Sequence, residues 1–206
     1  MTGGAQGPGG RTVLVVTGQS GAGKGTLIAR LRERIPELEL AVSATTRSAR
    51  TGEEHGRDYW FLAEEEFDRL LASGAFLEHV VFPWGQRSGT LRPELDRIAD
   101  AGRVCLLELE VEGALAVQET VPGSVTIFVT APIPELERRL RARATESEAE
   151  IEERIALARR QLEVVDTFDH VIENDDLDRA TDALVAVVRP LAAAAARVGG
   201  DDPSPH

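Results

Sequence analysis

A glycine-rich segment, Gly18 to Thr26, directly follows a short apolar run and precedes a helical pattern. The apolar run, residues 12–17, has the length and the β-branched content of a buried strand. Four glycines allow the loop to turn successive backbone N–H groups toward one point, and the N-terminus of the next helix adds partial positive charge. The segment therefore predicts a phosphate-binding loop, in which Lys24 reaches the β- and γ-phosphates of a nucleotide.

One position departs from the general pattern of such loops, which ends Gly-Lys-Ser/Thr and uses the hydroxyl on magnesium. Gly25 holds that position, and Thr26 comes one residue late. A plain glycine-rich turn is the alternative interpretation. Lys24 argues against that alternative because it is the one lysine among 23 Lys and Arg residues, and it stands where a compact, rotatable ammonium is chemically useful.

Further strands are expected at 104–109, 124–129 and 170–172, and they alternate with helical patterns. Strands separated by helices predict an α/β fold with a parallel sheet that is covered on both faces. The stretch from about 43 to 92 breaks this alternation with turns, a short strand at 59–62 and a helix at 64–73, and we interpret it as an insertion. The helical patterns lie at 24–35, 112–120, 134–143, 148–163 and 177–195.

Composition limits the remaining possibilities. With 206 residues and 42% hydrophobic content, residues 11–196 suit one domain, with a disordered lead at 1–10 and a disordered tail at 197–206. A net charge of −12 disfavours nucleic acid, and no apolar run approaches the roughly 20 residues that span a bilayer. Cys105 has no partner for a disulfide, which favours the cytoplasm. The expected partners are small-molecule nucleotides, and a monomer or a small homo-oligomer stays open.

The insertion begins with a cluster of phosphate-binding residue types. Residues 42–59 contain Ser43, two arginines three positions apart, Arg47 and Arg50, and Tyr59. Arginine forks bind phosphate oxygens through paired, charge-assisted hydrogen bonds. Taken singly, these residues could be solvated surface charge, but in this order and spacing they resemble the guanylate kinase signature. The resemblance covers about residues 11–190.

This resemblance implies a P-loop NTPase three-layer fold with a parallel core sheet, a nucleoside-monophosphate-binding insertion and a short lid at about 134–158. It also implies transfer of the ATP γ-phosphoryl group to GMP or dGMP, with Mg²⁺ accompanying ATP near Thr26 and Glu110, mostly through water. The implied catalytic residues are Lys24, Arg139, Arg143 and Arg154. The implied ATP-binding residues are Gly18, Gln19, Ser20, Gly21, Ala22, Gly23, Lys24, Gly25, Thr26 and Asn174. The implied acceptor-binding residues are Ser43, Arg47, Arg50, Tyr59, Glu78, Ser88, Thr90, Glu108 and Glu110.

Two departures on the acceptor side leave alternatives open. The family's Tyr-Tyr-Gly-Thr reads Arg87-Ser88-Gly89-Thr90 here, so one phosphate-binding tyrosine is missing and Ser88 or Arg87 lies in its neighbourhood. The family's Asp-Ile-Asp reads Glu108-Leu109-Glu110, and strand alternation places both glutamates on one side. The alternatives are a kinase of a modified purine nucleotide or another phosphorylated small molecule, and a catalytically silent binding module. The retained loop and lid argue against the silent module.

Overall fold

The computed structural model describes residues 12–82, 84–143 and 147–198. In chain order, the strands are β1 Val13–Gly18, β2 Leu38–Leu40, β3 Ala44–Thr45, β4 Trp60–Phe61, β5 Phe76–Val81, β6 Arg87–Leu91, β7 Val104–Glu108, β8 Val125–Thr130 and β9 His170–Glu173. The helices are α1 Lys24–Arg34, α2 Glu64–Ala72, α3 Arg92–Asp100, α4 Val111–Thr120, α5 Ile133–Arg143, α6 Glu148–Leu162 and α7 Leu177–Val198.

The main sheet has five strands in the order β2-β7-β1-β8-β9. Every neighbouring pair in it is parallel, and β1 lies in the centre, with Val16 aligned to Glu108 of β7 and to Ile127 of β8. The predicted α/β fold with a parallel core sheet is therefore confirmed. Because β1 is central, the glycine-rich loop that follows it emerges at the middle of the carboxyl edge, where ligands bind in open α/β sheets.

Alternate residues of β1 pack into two separate cores, one on each face of the sheet. Leu14 and Val16 belong to a cluster that includes residues of α1, α5, α6 and α7, whereas Val13 and Val15 belong to a cluster with α3 and α4. All four side chains are buried. The sheet therefore lies between two helical layers, which gives three layers in all. A strand that is buried on both faces has a nearly continuous apolar sequence, as β1 does.

A second sheet, with strand order β4-β3-β6-β5, spans residues 44–91, the stretch for which the sequence predicts an insertion. β5 and β6 form an antiparallel hairpin, and β3 pairs with β6 antiparallel and with β4 parallel. Phe67 of α2 stacks on Phe76 of β5 with ring centroids 4.3 Å apart, and Ala44 completes this small core. The second sheet thus has its own minor core beside the main one.

The sequence analysis gave no range for β2, for the strands β3, β5 and β6 of the second sheet, or for α3. Pro93 makes the start of α3 read as a loop, but proline is tolerated in the first turn of a helix, and Leu95 and Ile98 bury the inner face. α7 continues to Val198, two residues into the predicted tail. The rest of the predicted tail and the predicted lead lie outside the described residues. Within the described ranges, no helix combines the length and the apolar content that a membrane crossing requires.

Candidate functional site

The loop between β1 and α1 has the backbone that its glycines predict. Gly18 has φ 140°, and a Cβ there would lie 2.0 Å from the carbonyl oxygen of Val129. Gly23 caps α1 in the left-handed region with φ 87°, and no side chain caps the helix. The N–H groups of the first turn of α1 are therefore left for a ligand, and a helix N-terminus of this kind attracts phosphate.

Lys24 begins α1 and folds back over the loop. Its Nζ donates to the carbonyl oxygen of Gly18 at 2.8 Å and to that of Gln19 at 3.3 Å. Burial lowers the pKa of the Lys24 ammonium, while the nearby carboxylates of Glu110 and Glu108 raise it. The ammonium is thus held between the loop and two acidic groups, with little competing water.

Gln19 braces the loop from behind. Its side chain is fully buried, where Oε1 accepts from Thr130 Oγ1 at 2.6 Å and from the Ala131 amide at 2.9 Å. Its Nε2 donates to the carbonyl oxygen of Ala158 on α6 at 3.2 Å. Both polar atoms of the buried amide already have protein partners, so any contact of Gln19 with ATP is left to its backbone. Its contribution to the loop is structural.

Asn174 and Arg139 close the other side of the loop. Asn174 Nδ2 donates to the carbonyl oxygen of Ala22 at 2.6 Å, and its Oδ1 is buried without a hydrogen-bond partner among the described residues. Arg139, on α5, donates through Nη2 to the Asn174 carbonyl oxygen at 2.8 Å and through Nε to Glu135 at 2.7 Å. The loop, the end of β9 and the first lid helix therefore meet at one point.

The other two predicted lid arginines are less informative. Arg143 ends α5, and its side chain lies outside the described part of the molecule. Arg154 lies half-buried on α6, the same helix from which Gln161 Oε1 accepts the backbone N–H of Ser20 at 3.2 Å. α6 thus reaches the glycine-rich loop through Gln161, a residue that the sequence analysis did not single out.

A cleft of about 290 Å³ extends from Lys24 to the second sheet. Its lining comes from both sheets, and Lys24 is the residue that the glycine-rich loop contributes to it. Arg50 and Thr90 do not line it, nor do Arg139, Arg154 and the predicted ATP-binding residues other than Lys24. The predicted residues that do line it are Lys24, Ser43, Arg47, Tyr59, Glu78, Ser88, Glu108 and Glu110.

Arg47 forms an anion-binding position in this cleft. Its guanidinium lies over the Tyr59 ring, 5.0 Å from the centroid, and donates to both carboxylate oxygens of Glu53, at 2.7 and 2.9 Å. The Arg50 backbone N–H donates to the same carboxylate at 2.8 Å, while the Arg50 side chain is exposed. These hydrogen bonds, that of Arg47 first, lower the pKa of Glu53 to about 2. In this structure the guanidinium of Arg47 is thus paired with an oxyanion of the chain itself, the Glu53 carboxylate.

Glu78 lies at the cleft wall with 7% of its surface exposed. Its Oε1 accepts the Thr90 backbone N–H at 2.8 Å, so Thr90 supports the carboxylate from beneath the cleft. Burial raises the pKa of Glu78, and the hydrogen bonds from Thr90 lower it in part. A Cβ at Gly113 of α4 would lie 2.7 Å from Glu78 Oε2, so the glycine makes room for this side chain.

Glu108 and Glu110 both line the cleft opposite the glycine-rich loop, as strand alternation predicts. Glu108 ends β7, and Glu110 is the N-cap residue of α4. Desolvation raises the pKa of Glu108, Lys24 lowers it, and Glu110 raises it. The Glu108 side chain is exposed to solvent, and it has the positive charge of Lys24 and the negative charge of Glu110 nearby. The two carboxylates and Lys24 form one coupled group at the centre of the cleft.

The architecture of this cleft agrees with the comparison of the whole sequence. A family model described as guanylate kinase matches residues 10–190. The chain belongs to the guanylate kinase family. Two curated guanylate kinases, from Synechococcus sp. strain CC9311 and Rubrobacter xylanophilus, share 49% and 42% identity with it over 168 and 190 residues. These alignments cover 81% and 92% of this chain, and 87% and 96% of the relatives.

The fold of this guanylate kinase family member also has a solved counterpart. The crystal structure of guanylate kinase from Anaplasma phagocytophilum superposes with a TM-score of 0.68 at 30% identity. The superposition covers 88% of this chain and 86% of that one. Fold and family are therefore shown together.

Arg87 does not take the place of the missing tyrosine. Its guanidinium pairs with Glu64 and, at 2.5 Å, with Asp68 of α2, and lies 4.6 Å from the Phe67 ring centroid. Adjacent residues of a strand point to opposite faces, so Ser88 lines the cleft while Arg87 covers α2. Of the two residues near the missing tyrosine, Ser88 is the one that faces the cleft in this structure.

The space beside Gly25 is free, at the position where the general loop pattern has a hydroxyl side chain. A Cβ at this position would meet nothing within 4 Å. Within the described ranges, no group of three or more His, Cys, Asp or Glu side chains is arranged to hold a metal ion. The oxygen donors beside Lys24 are the carboxylates of Glu108 and Glu110, a donor type that suits Mg²⁺ through its water shell.

Among the residues that contact the loop or the cleft residues, Glu53, Gln161 and Gly113 were not singled out by the sequence analysis. Glu53 lies six residues after Arg47 within the recognised signature, and that close spacing could have indicated an ion pair. Gly113 interrupts an otherwise helix-forming stretch, and an isolated glycine inside a helix often indicates a close approach. Gln161 carries no local signal, because its role depends on α6 packing against a loop 141 positions away.

Proposed function

We propose that this chain phosphorylates GMP or dGMP with the γ-phosphoryl group of ATP, giving GDP or dGDP and ADP. One observation carries the proposal. A single cleft joins Lys24, the lysine of the glycine-rich loop, to the guanidinium of Arg47 and a buried carboxylate at Glu78. The curated relatives are named guanylate kinases, which supports the same reaction.

The donor nucleotide lies on the glycine-rich loop. Its phosphates take hydrogen bonds from the first-turn amides of α1, and Lys24 leaves its carbonyl partners to neutralise the β- and γ-phosphates. Asn174 Oδ1, buried and without a partner among the described residues, suits a hydrogen-bond donor such as the adenine amino group. Arg139, already on the loop, reaches the transferring group once it exchanges its contact with Ala22.

The acceptor lies on the second sheet. Its phosphate binds at Arg47, supported by Tyr59 and Ser43, in the position that the Glu53 carboxylate takes in the free cleft. Ionised Glu78 accepts hydrogen bonds from guanine N1–H and the exocyclic amine. Adenine offers an acceptor at N1, which would leave a buried carboxylate without a donor. Base choice therefore rests on Glu78.

Magnesium accompanies ATP, with Glu108 and Glu110 as the residues that hold its water shell. When bound, the ion supplies charge neutralisation between the β- and γ-phosphates. The chain's own contribution is to position the two nucleotides in line and to exclude water from the transferring group. No covalent intermediate on the protein is needed.

A second candidate is a kinase of the same fold whose acceptor is a modified purine nucleotide or another phosphorylated small molecule. The observation that favours it is Ser88, which replaces a phosphate-binding tyrosine in the family pattern and donates to the carbonyl oxygen of Ala44 at 3.1 Å. Glu108 and Glu110 add a methylene each to the opposite wall. We also propose that the reaction takes place in the cytoplasm. The free thiol of Cys105 is buried, which agrees with a reducing compartment. The proposed oligomeric state is a monomer or a small homo-oligomer.

A coupled assay of ADP release across GMP, dGMP, AMP, CMP and UMP tests these proposals. We expect kcat/KM for GMP to exceed that for AMP at least about tenfold, because the unpaired carboxylate costs on the order of 1–3 kcal/mol. Equal rates with AMP contradict a guanine-reading role for Glu78. Poor rates with all five favour the changed acceptor, and complete inactivity with retained nucleotide binding favours a binding module.

A further inference from the structure

The tip of the β5–β6 hairpin carries a large exposed aromatic side chain beside the cleft. Trp84 is 71% exposed, and its ring stacks on Phe82 with centroids 5.0 Å apart and an interplanar angle of 11°. Phe82 lines the cleft, and its N–H donates to the Gln86 carbonyl oxygen at 2.8 Å. The backbone N–H of Gly85 also donates to the Phe82 carbonyl oxygen at 2.8 Å, so the aromatic pair lies beside the cleft at the end of the hairpin.

Trp84 determines how the Gln86 amide is oriented. The indole Nε1 donates to Gln86 Oε1 at 3.3 Å. An indole N–H can donate but cannot accept, so the amide atom that faces it has to be the oxygen. The amide nitrogen then points the other way, toward Thr45 Oγ1 at 3.4 Å. Gln86 lines the cleft, so this orientation directs a neutral N–H donor to the acceptor end.

The contact between Gln86 and Thr45 leaves most of this donor capacity unused. Thr45 Oγ1 already donates to the Arg87 carbonyl oxygen at 2.9 Å and accepts the Arg47 backbone N–H at 3.3 Å. The bond from Gln86 Nε2 is the longest of the three, and the amide nitrogen carries two hydrogens. The hydroxyl that Gln86 contacts thus also contacts the backbone of Arg47, the residue that forms the anion-binding position.

The neighbouring side chains of the hairpin, those of Arg87 and Ser88, already have partners outside the cleft. The Ser88 hydroxyl donates to the backbone of Ala44, and the Arg87 guanidinium is held by α2 on the opposite face. Among residues 86–88, Gln86 presents the available donor toward the cleft. We propose that Gln86 binds the phosphate of the acceptor nucleotide and that Trp84 is the residue that positions its amide. This inference rests on the proposed function, because it assigns the phosphate contact of the same acceptor.

The test compares GMP with guanosine, which lacks the phosphate, by calorimetry in the absence of ATP. Gln86→Leu removes the donor at similar volume, and we expect Kd for GMP to rise about tenfold, the loss of one hydrogen bond to a charged group, while Kd for guanosine stays within twofold. Trp84→Phe keeps the stacked ring but loses the indole N–H, and we expect a rise of about threefold for GMP alone. Ser88→Tyr in the Gln86→Leu background adds a hydroxyl donor on the same wall and should recover most of the loss.

Steady-state kinetics separate this role from a structural one. Gln86→Leu should raise KM for GMP by the same factor, with KM for ATP within twofold and an unchanged melting temperature. An unchanged Kd for GMP, or an equal loss for guanosine, overturns the proposal. A wild-type protein that binds GMP but does not phosphorylate it overturns the proposed function instead, and the calorimetric comparison still decides the role of Gln86.

Discussion

The donor end of the cleft rests on the five-stranded sheet, whereas the acceptor end rests on the four-stranded one. At the donor end, the ligand-binding groups are largely backbone amides, and buried side chains such as Gln19 and Asn174 hold them in place. At the acceptor end, the groups are side chains, Arg47 just after β3 and Glu78 on β5. The small core beneath them has three buried members in the described part, Ala44, Phe67 and Phe76.

This contrast explains why the chain departs both from the general pattern of phosphate-binding loops, at Gly25, and from the acceptor pattern of its family, at Ser88. A backbone site depends on loop conformation, so Gly25 can lack a hydroxyl without disturbing the amides around it. A side-chain site changes its contacts with each substitution, and Ser88 has removed one. A neighbour such as Gln86 can replace that contact because the hairpin places several side chains along one wall. We therefore expect the donor end to be similar among kinases of this fold and the acceptor end to determine the substrate.

The largest expected effect comes from removing the charge at the donor end. Lys24→Met keeps about the same length but cannot neutralise phosphate, and we expect kcat to fall at least about a hundredfold, as for other losses of transition-state charge stabilisation. GMP binding, measured by calorimetry, should stay within about threefold because Arg47 and Glu78 are untouched. ADP release and thermal unfolding check both statements.

The matched control for this change is Arg30→Met, which removes a positive charge from the outer face of the same helix, where Arg30 pairs with Asp178. It should leave kcat unchanged. Turnover by Lys24→Met within threefold of wild type contradicts the assignment of this loop, and a loss of GMP binding would show that the two ends are not independent.

A smaller effect is expected from crowding the acceptor end. Gly113→Ala places a Cβ 2.7 Å from Glu78 Oε2, so the carboxylate has to shift away from the position that accepts from guanine. We expect KM for GMP to rise about tenfold, equivalent to roughly 1.4 kcal/mol, with KM for ATP unchanged. Initial rates at varied GMP and ATP provide the measurement.

Ala116→Gly, on the same helix, is the control for helix stability. It should destabilise folding by about 1 kcal/mol without changing KM for GMP, since it alters helix propensity alone. A KM for GMP within twofold of wild type in Gly113→Ala would contradict the statement that the space left by Gly113 sets the position of the Glu78 carboxylate.

The same contrast explains what could be predicted from the sequence. The strand, the glycines and Lys24 are contiguous, so their local pattern defined the loop, and alternation of strands and helices defined the parallel sheet. Acceptor residues on the known signature, Arg47, Tyr59 and Glu78, were also found to line the cleft.

Long-range packing could not be predicted in this way. Gln19 fits the loop motif, yet its side chain is turned inward by contacts with β8 and α6. Arg87 is next to Ser88, yet the acidic residues of α2 hold it on the other face. In both residues a distant partner decides the direction of the side chain, and no local pattern records that partner.

The smallest effect is expected from restoring the hydroxyl at the donor end. Gly25 lies in the first turn of α1 with a helical backbone, and a Cβ there meets nothing within 4 Å, so Gly25→Ser is accommodated without strain. If the new hydroxyl were to bind the magnesium that accompanies ATP, the Mg²⁺ concentration for half-maximal rate should fall about threefold. Gly25→Ala separates the effect of the hydroxyl from the gain in helix propensity, about 1 kcal/mol relative to glycine, because it adds the Cβ alone.

Both variants should melt at higher temperature, whereas the magnesium dependence should shift in Gly25→Ser and not in Gly25→Ala. Equal shifts in the two variants would show that a stiffer helix, and not ligation, changes metal use; no shift in either would mean that magnesium is held from the side of Glu108 and Glu110.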